Sequence, residues 1–70
     1  MSIQAGDQVE WSWGDGTAEG TVASNHTKTI TRQIKGSEVT RDGSDEDPAL
    51  EITQNDGTTV LKLASEVSKA

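Results

Sequence analysis

Lys28, Arg32, Lys35 and Arg41 fall in one short stretch with Glu38 as its single acid, the strongest chemical signal in the chain. Guanidinium groups form paired hydrogen bonds to phosphate. Arg32, Lys35 and Arg41, with threonine hydroxyls and the Gly36 backbone N–H, could therefore converge on an anionic group. The alternative is solvated charge on an edge strand, where Lys and Arg discourage sheet-to-sheet association. Trp11 and Trp13 are the only aromatic side chains. An exposed indole near the basic stretch would stack on a nucleobase or a nicotinamide ring. Two apart on one strand, the indoles share a face, and the plainer expectation is that both are core. They are too few to surround a methylated cation, since cation–π attraction from several sides needs several rings.

His26 is the single histidine and has no cysteine partner. General base, metal ligand and phosphate contact are all open to it chemically, but a surface hydrogen-bonding role is the expected one. Asp42, Asp45, Glu46 and Asp47 carry oxygen ligands for a divalent cation, yet Pro48 and Leu50 stand where an EF-hand needs ligands. A solvated acidic loop is expected, screening the basic stretch or pairing with it. Glu10 with Asp15 or Glu19 offers paired carboxylates, as any acidic β domain does by chance. The chain has no Gly-x-Ser-x-Gly elbow, His-Glu-x-x-His pair, phosphate loop or dinucleotide fingerprint, so a non-enzymatic role is expected.

The elements that position these groups read as strands. Val9, Trp11 and Trp13 alternate with polar residues, and Gly14-Asp15-Gly16 supplies a turn to a second strand over Thr17 to His26. Ala18 and Gly20 mark a close approach or a bulge there. Thr27 to Ile34 is rich in β-branched residues, which favours strand, although Ile30 and Ile34 also fit one helical face. Gly36 turns the chain into an extended piece through Val39 and Arg41, and Asp42 to Pro48 is a polar loop. Asp56-Gly57 as a two-residue turn pairs Ile52 with Leu61 and Leu50 with Leu63, gathering four aliphatics on one face; a slip by one would pair Leu50 with Lys62. Ser65 to Ala70 is expected to be a terminal turn that lays Val67 on the core.

Seventy residues make one domain, 1–70, near the lower limit for a single core. With no cysteine, no signal-like start and no apolar run of roughly 20 residues, the expectation is a soluble cytoplasmic protein away from membranes. A net charge of −6 disfavours nucleic acid as a partner.

Several phrases occur in order: Val9-Glu10-Trp11, Thr17-Ala18-Glu19-Gly20, Ile34-Lys35-Gly36 with Val39 and Arg41, Pro48-Ala49, and Asp56-Gly57 with Val60-Leu61-Lys62. Together they resemble the hypervirulence-associated protein Tudor-like domain family, over Gly6 to Val67. The resemblance implies an all-β, small five-stranded SH3-like or Tudor-like barrel without agreed catalytic residues. It also implies links with fungal metabolism and virulence, and hints at NADPH as a ligand. Members often carry an aromatic residue where this chain has Leu50, which makes an aromatic binding surface less expected. Two functions follow as expectations. One is a binding or regulatory module for a protein partner, acting through an edge strand that adds a partner strand or forms a homodimer. The other is a sensor of a phosphorylated metabolite such as NADPH, read by Arg32, Lys35, Gly36, Arg41 and His26 with Trp11 or Trp13.

Overall fold

The structure, a computed structural model, describes residues 3–70. Strand β1 (Gln8–Trp13) turns at Gly14-Asp15 into the long strand β2 (Gly16–His26). Strands β3 (Thr29–Ile34) and β4 (Ser37–Asp42) form a second hairpin, so the β-branched run is strand, as its composition predicts. The polar loop leads to β5 (Ala49–Gln54) and β6 (Thr59–Leu63). A 3₁₀ turn (Ala64–Glu66) and a short final strand, β7 (Ser68–Lys69), end the chain. Val67 packs on the core as expected, but β7 was not visible in the sequence, because two residues carry no periodicity. No helix among the described residues is long and apolar enough to cross a membrane.

The strands form a five-stranded sheet in the order β6-β5-β2-β1-β7 and a separate two-stranded sheet of β3 and β4. Backbone pairing does not close these sheets into the expected five-stranded barrel. The sheet nevertheless curls: its two edge strands, β6 and β7, are consecutive in the chain, and the residues from Leu63 to Ser68 can span no more than roughly 18 Å. Gly20 permits a close crossing inside the curl. A Cβ there would lie 2.5 Å from Ile52 Cγ2 and 2.8 Å from the Thr53 carbonyl, so close approach is the role of this small residue.

Two apolar clusters lie on opposite faces of the β5–β6 hairpin. Ile3, Val9, Trp11, Val22, Leu50 and Ile52 fill the inside of the curl, with Ala18, Val60, Ala64 and Val67 against them. Ile30, Ala49 and Leu61, with Ile34, Val39 and Leu63, fill the space under the β3–β4 hairpin. This double covering overturns the expected β5–β6 register. Ile52 pairs with Val60, Glu51 with Leu61 and Leu50 with Lys62, the slipped arrangement, because aliphatics are wanted on both faces rather than on one. The loop is correspondingly longer than Asp56-Gly57 alone. Gly57 donates to the Gln54 carbonyl at 2.9 Å and Gln54 to the Thr58 carbonyl at 2.7 Å, with Gly57 left-handed at φ 88°.

Candidate functional site

The β3–β4 hairpin carries most of the expected site. Its register pairs Arg32 with Val39 and Ile30 with Arg41. Strand alternation then places Ile30, Arg32, Ile34, Val39 and Arg41 on the face toward the larger sheet. The aliphatics enter the second cluster, and the two arginines meet separate carboxylates. Arg32 Nε lies 3.5 Å from Glu51 Oε1 on β5, and Arg41 Nε lies 3.5 Å from Glu66 Oε1 on the 3₁₀ turn. Glu66 also accepts the Leu63 backbone N–H at 2.8 Å. Neither carboxylate belongs to the acidic loop expected to screen the basic stretch. Lys35 sits at the hairpin tip with φ 50°, followed by Gly36 at φ 79°, a pair of left-handed residues forming a type I′ turn. Hydrogen bonds from Thr58, above all its backbone N–H, hold the Asp56 carboxyl below its ordinary range, and the Lys35 charge lowers it further. Arg32 and Arg41 thus tie to two different acids, and the Lys35 charge acts on a third.

The same turn fixes the hairpin's edges. A two-residue turn closes on a hydrogen-bonded pair, Ile34 with Ser37, and pairs alternate from there. The backbone N–H and C=O of Thr29, Thr31 and Gln33 consequently point away from β4. The Thr29 hydroxyl to Asp42 contact at 2.7 Å and the Thr31 to Thr40 contact at 2.9 Å fit the closer spacing of non-hydrogen-bonded pairs. Among the described residues no other strand pairs with either edge. Each arginine turns back on its own edge: Arg32 Nη1 donates to the Thr31 carbonyl and Arg41 Nη1 to the Thr40 carbonyl, both at 3.0 Å.

His26 and Arg32 meet at one carboxylate through a feature invisible in the sequence. The β2–β5 register shifts between Val22 and Ser24, an irregularity at Ala23 rather than at Ala18 or Gly20. The extra residue turns Ser24 and His26 onto the face that carries Glu51. Ser24 Oγ lies 2.8 Å from His26 Nε2 and donates to Glu51 Oε1 at 3.1 Å, while His26 Nε2 is 3.9 Å from the same oxygen. In a nucleophile-activating relay the imidazole stands between hydroxyl and carboxylate; here the hydroxyl stands between, so the geometry suits anchoring of Glu51. Ser24 and Glu51 escaped sequence reasoning. The available signal was a lone acid at 51 between the two most buried aliphatics of its strand.

The two tryptophans separate. Trp11 is 7% exposed in the first cluster, whereas Trp13 is 74% exposed beyond its end, which corrects the expectation that both are core. In the acidic loop Asp47 is tied to the 3₁₀ turn, accepting from the Ser65 N–H at 2.8 Å and the Ser65 hydroxyl at 2.7 Å. A groove of about 1000 Å³ lies beside it, floored by Ile3, Pro48, Ala64 and Val67. Among the described residues no group of three or more His, Cys, Asp or Glu could hold a metal ion.

No curated protein and no solved structure matches the chain. The family model described as Hypervirulence associated proteins TUDOR domain matches residues 6–67, nearly the whole length. The all-β architecture agrees with it, and the protein belongs to the hypervirulence-associated TUDOR domain family.

Proposed function

We propose that this protein is a non-enzymatic binding module, on a curled, barrel-like scaffold, that recognises an extended segment of a protein partner by adding it to the β3–β4 hairpin. The observation that carries the reading is the open edge of β3, where Thr29, Thr31 and Gln33 direct backbone donors and acceptors outward with no strand among the described residues to meet them. Such an edge is a template for strand addition. Among the described residues no backbone ladder joins the hairpin to the larger sheet, so an added strand lengthens the small sheet without disturbing the ladder of the large one. Any part in virulence or metabolism would follow from the partner recruited. The test is a library of extended peptides screened against the protein and its Thr31→Pro variant. Proline removes one outward N–H, which an edge strand tolerates. Peptides held by the parent and lost by the variant are expected; binders retained equally by both would refute edge addition.

A second reading, a phosphorylated small molecule such as NADPH, is favoured by the meeting of His26 and Arg32 at Glu51. A phosphate would there compete with Glu51 for the guanidinium. Titration with NADPH, NADH and inorganic phosphate, followed by amide shifts at low and physiological salt, tests it. A phosphate site gives saturable shifts around Arg32 and Lys35 that weaken with salt, and silence at millimolar ligand ends this reading.

A further inference from the structure

The residues around β3 select the kind of strand that its edge can take. From Thr27 to Ser37 the chain holds Lys28, Arg32 and Lys35 and no carboxylate. The other edge differs: β4 carries Glu38 and Asp42 beside its outward groups and, of the two strands, lies the more closely against β6. A second copy adding antiparallel through β3 would set this cationic row against itself, and like charges across a ladder are unfavourable. A strand bearing Asp or Glu meets the opposite field. We propose that the β3 edge takes an extended acidic segment of a protein partner, with Arg32 exchanging Glu51 for a carboxylate of that segment. This rests on the edge-addition reading above and names its partner class.

Arg32 is both the guard of the edge and its reader. In the free protein its Nη1 donates to the Thr31 carbonyl, the acceptor an incoming strand would use, so an added strand competes with the guanidinium there. Its tie to Glu51 is a 3.5 Å contact on a side chain 44% exposed, the class of ion pair that contributes little to stability. A carboxylate brought in beside it, with backbone bonds holding it in register, can take that place with paired hydrogen bonds. Glu51 is not left bare by the exchange. The Ser24 hydroxyl continues to donate to it, and His26 Nε2 stands 3.9 Å away. The bulge at Ala23 that brings these two residues to Glu51 thereby supports a carboxylate whose arginine can leave. Lys28 and Lys35, at the two ends of β3, extend the favourable field along the edge.

The experiment uses three blocked synthetic peptides in which Glu, Gln or Lys alternates with Val. Each is titrated into the whole protein while amide shifts are recorded, at low and at physiological salt. The Glu peptide is expected to shift Thr29, Thr31 and Gln33 saturably, and to bind about tenfold more tightly than the Gln peptide at low salt, with the gap narrowing as salt rises. Equal binding of the Glu and Gln peptides at these amides leaves edge addition standing and overturns the acidic preference. If no peptide moves these amides, both fall. Tightest binding by the Lys peptide, or shifts confined to Glu38, Thr40 and Asp42, overturns the assignment to β3. Dilution shifts at the same amides in the free protein would make a second copy the occupant and likewise overturn it. Two variants separate exchange from simple support. Glu51→Gln releases the guard and is expected to tighten the Glu peptide a few-fold, whereas weaker binding would make Glu51 a mere prop and refute the exchange. Arg32→Lys keeps the charge without the fork and is expected to keep the Glu preference at several-fold lower affinity; unchanged affinity would remove Arg32 as the reader.

Discussion

At the scale of single residues, the glycine at 43 does more for the hairpin than any charged group around it. A Cβ at Gly43 would lie 2.5 Å from the His26 carbonyl, 2.8 Å from the Ala49 nitrogen and 2.9 Å from the Lys28 carbonyl. All three are backbone atoms, so no side chain can swing away to make room. The chain passes here between the end of β2, the start of β3 and the start of β5, which fixes where the hairpin sits on the larger sheet. Gly43→Ala is expected to destabilise by about 1–3 kcal/mol, the range for overpacking a closed site. A domain of this length holds only about 4–10 kcal/mol in all. Urea unfolding checks it: a midpoint within error of the parent would mean that these three strand ends yield together. The contrast with the ion pairs is instructive. Arg32 and Arg41 look like the important residues in the sequence, yet each ties to its acid at 3.5 Å on a partly exposed surface, where pairs contribute little.

At the scale of elements, the β3–β4 turn joins stability to recognition. Type I′ turns favour Asn-Gly, since both central residues take positive φ, and this chain places Lys35 at φ 50° where Asn would be easier. Lys35→Asn is expected to stabilise the protein by about 0.5–1 kcal/mol, because a left-handed conformation costs most L-residues roughly 1–2 kcal/mol and Asn escapes part of that. The same change removes a cation from the end of β3 and is expected to weaken the Glu peptide. Thermal unfolding and the peptide titration read the two effects separately, and a variant more stable with undiminished affinity would detach Lys35 from the edge. Elements also mark the border of what sequence could tell. Gly36 announced its turn, and alternation announced β1, because one residue type or one period suffices for each. The β5–β6 register escapes sequence reasoning because the one-face assumption fails when a hairpin is covered on both sides, and nothing local to Leu61 or Leu63 reports that β3 and β4 return over them. The His26–Ser24–Glu51 meeting was hidden for a similar reason. A one-residue irregularity at Ala23 decides which face residues 24 and 26 occupy, and that irregularity answers to β5, distant in sequence.

For the whole molecule the decisive quantity is charge against pH. The net charge of −6 at neutrality means that carboxylates dominate the titration, and two of them are held in their ionised form by the fold. The Gln4 backbone N–H, aided by Lys69 at 3.4 Å, keeps the Asp7 carboxyl below its ordinary value of 3.8, and Thr58 does the same for Asp56. A depressed carboxyl favours the folded state wherever the unfolded chain would be ionised as well. That contribution is fully present above the unfolded pKa and is lost as pH falls through the folded one. Asp7 and Lys69 join the start of the chain to the edge strand β7 beside β1, and Asp56 sits in the β5–β6 turn, so the loss falls on two separate places in the sheet. Below the isoelectric point, near pH 4.4, the molecule turns positive and self-repulsion grows in the same direction. The urea midpoint is therefore expected to stay nearly level from neutral to about pH 4.5 and to fall steeply below about pH 4. The double variant Asp7→Asn with Asp56→Asn starts lower at neutral pH, having lost both charge-assisted contacts, and descends less steeply because it lacks two of the linked protons. Parallel descents of parent and variant would assign the acid sensitivity to net repulsion alone and remove the two carboxylates from the account.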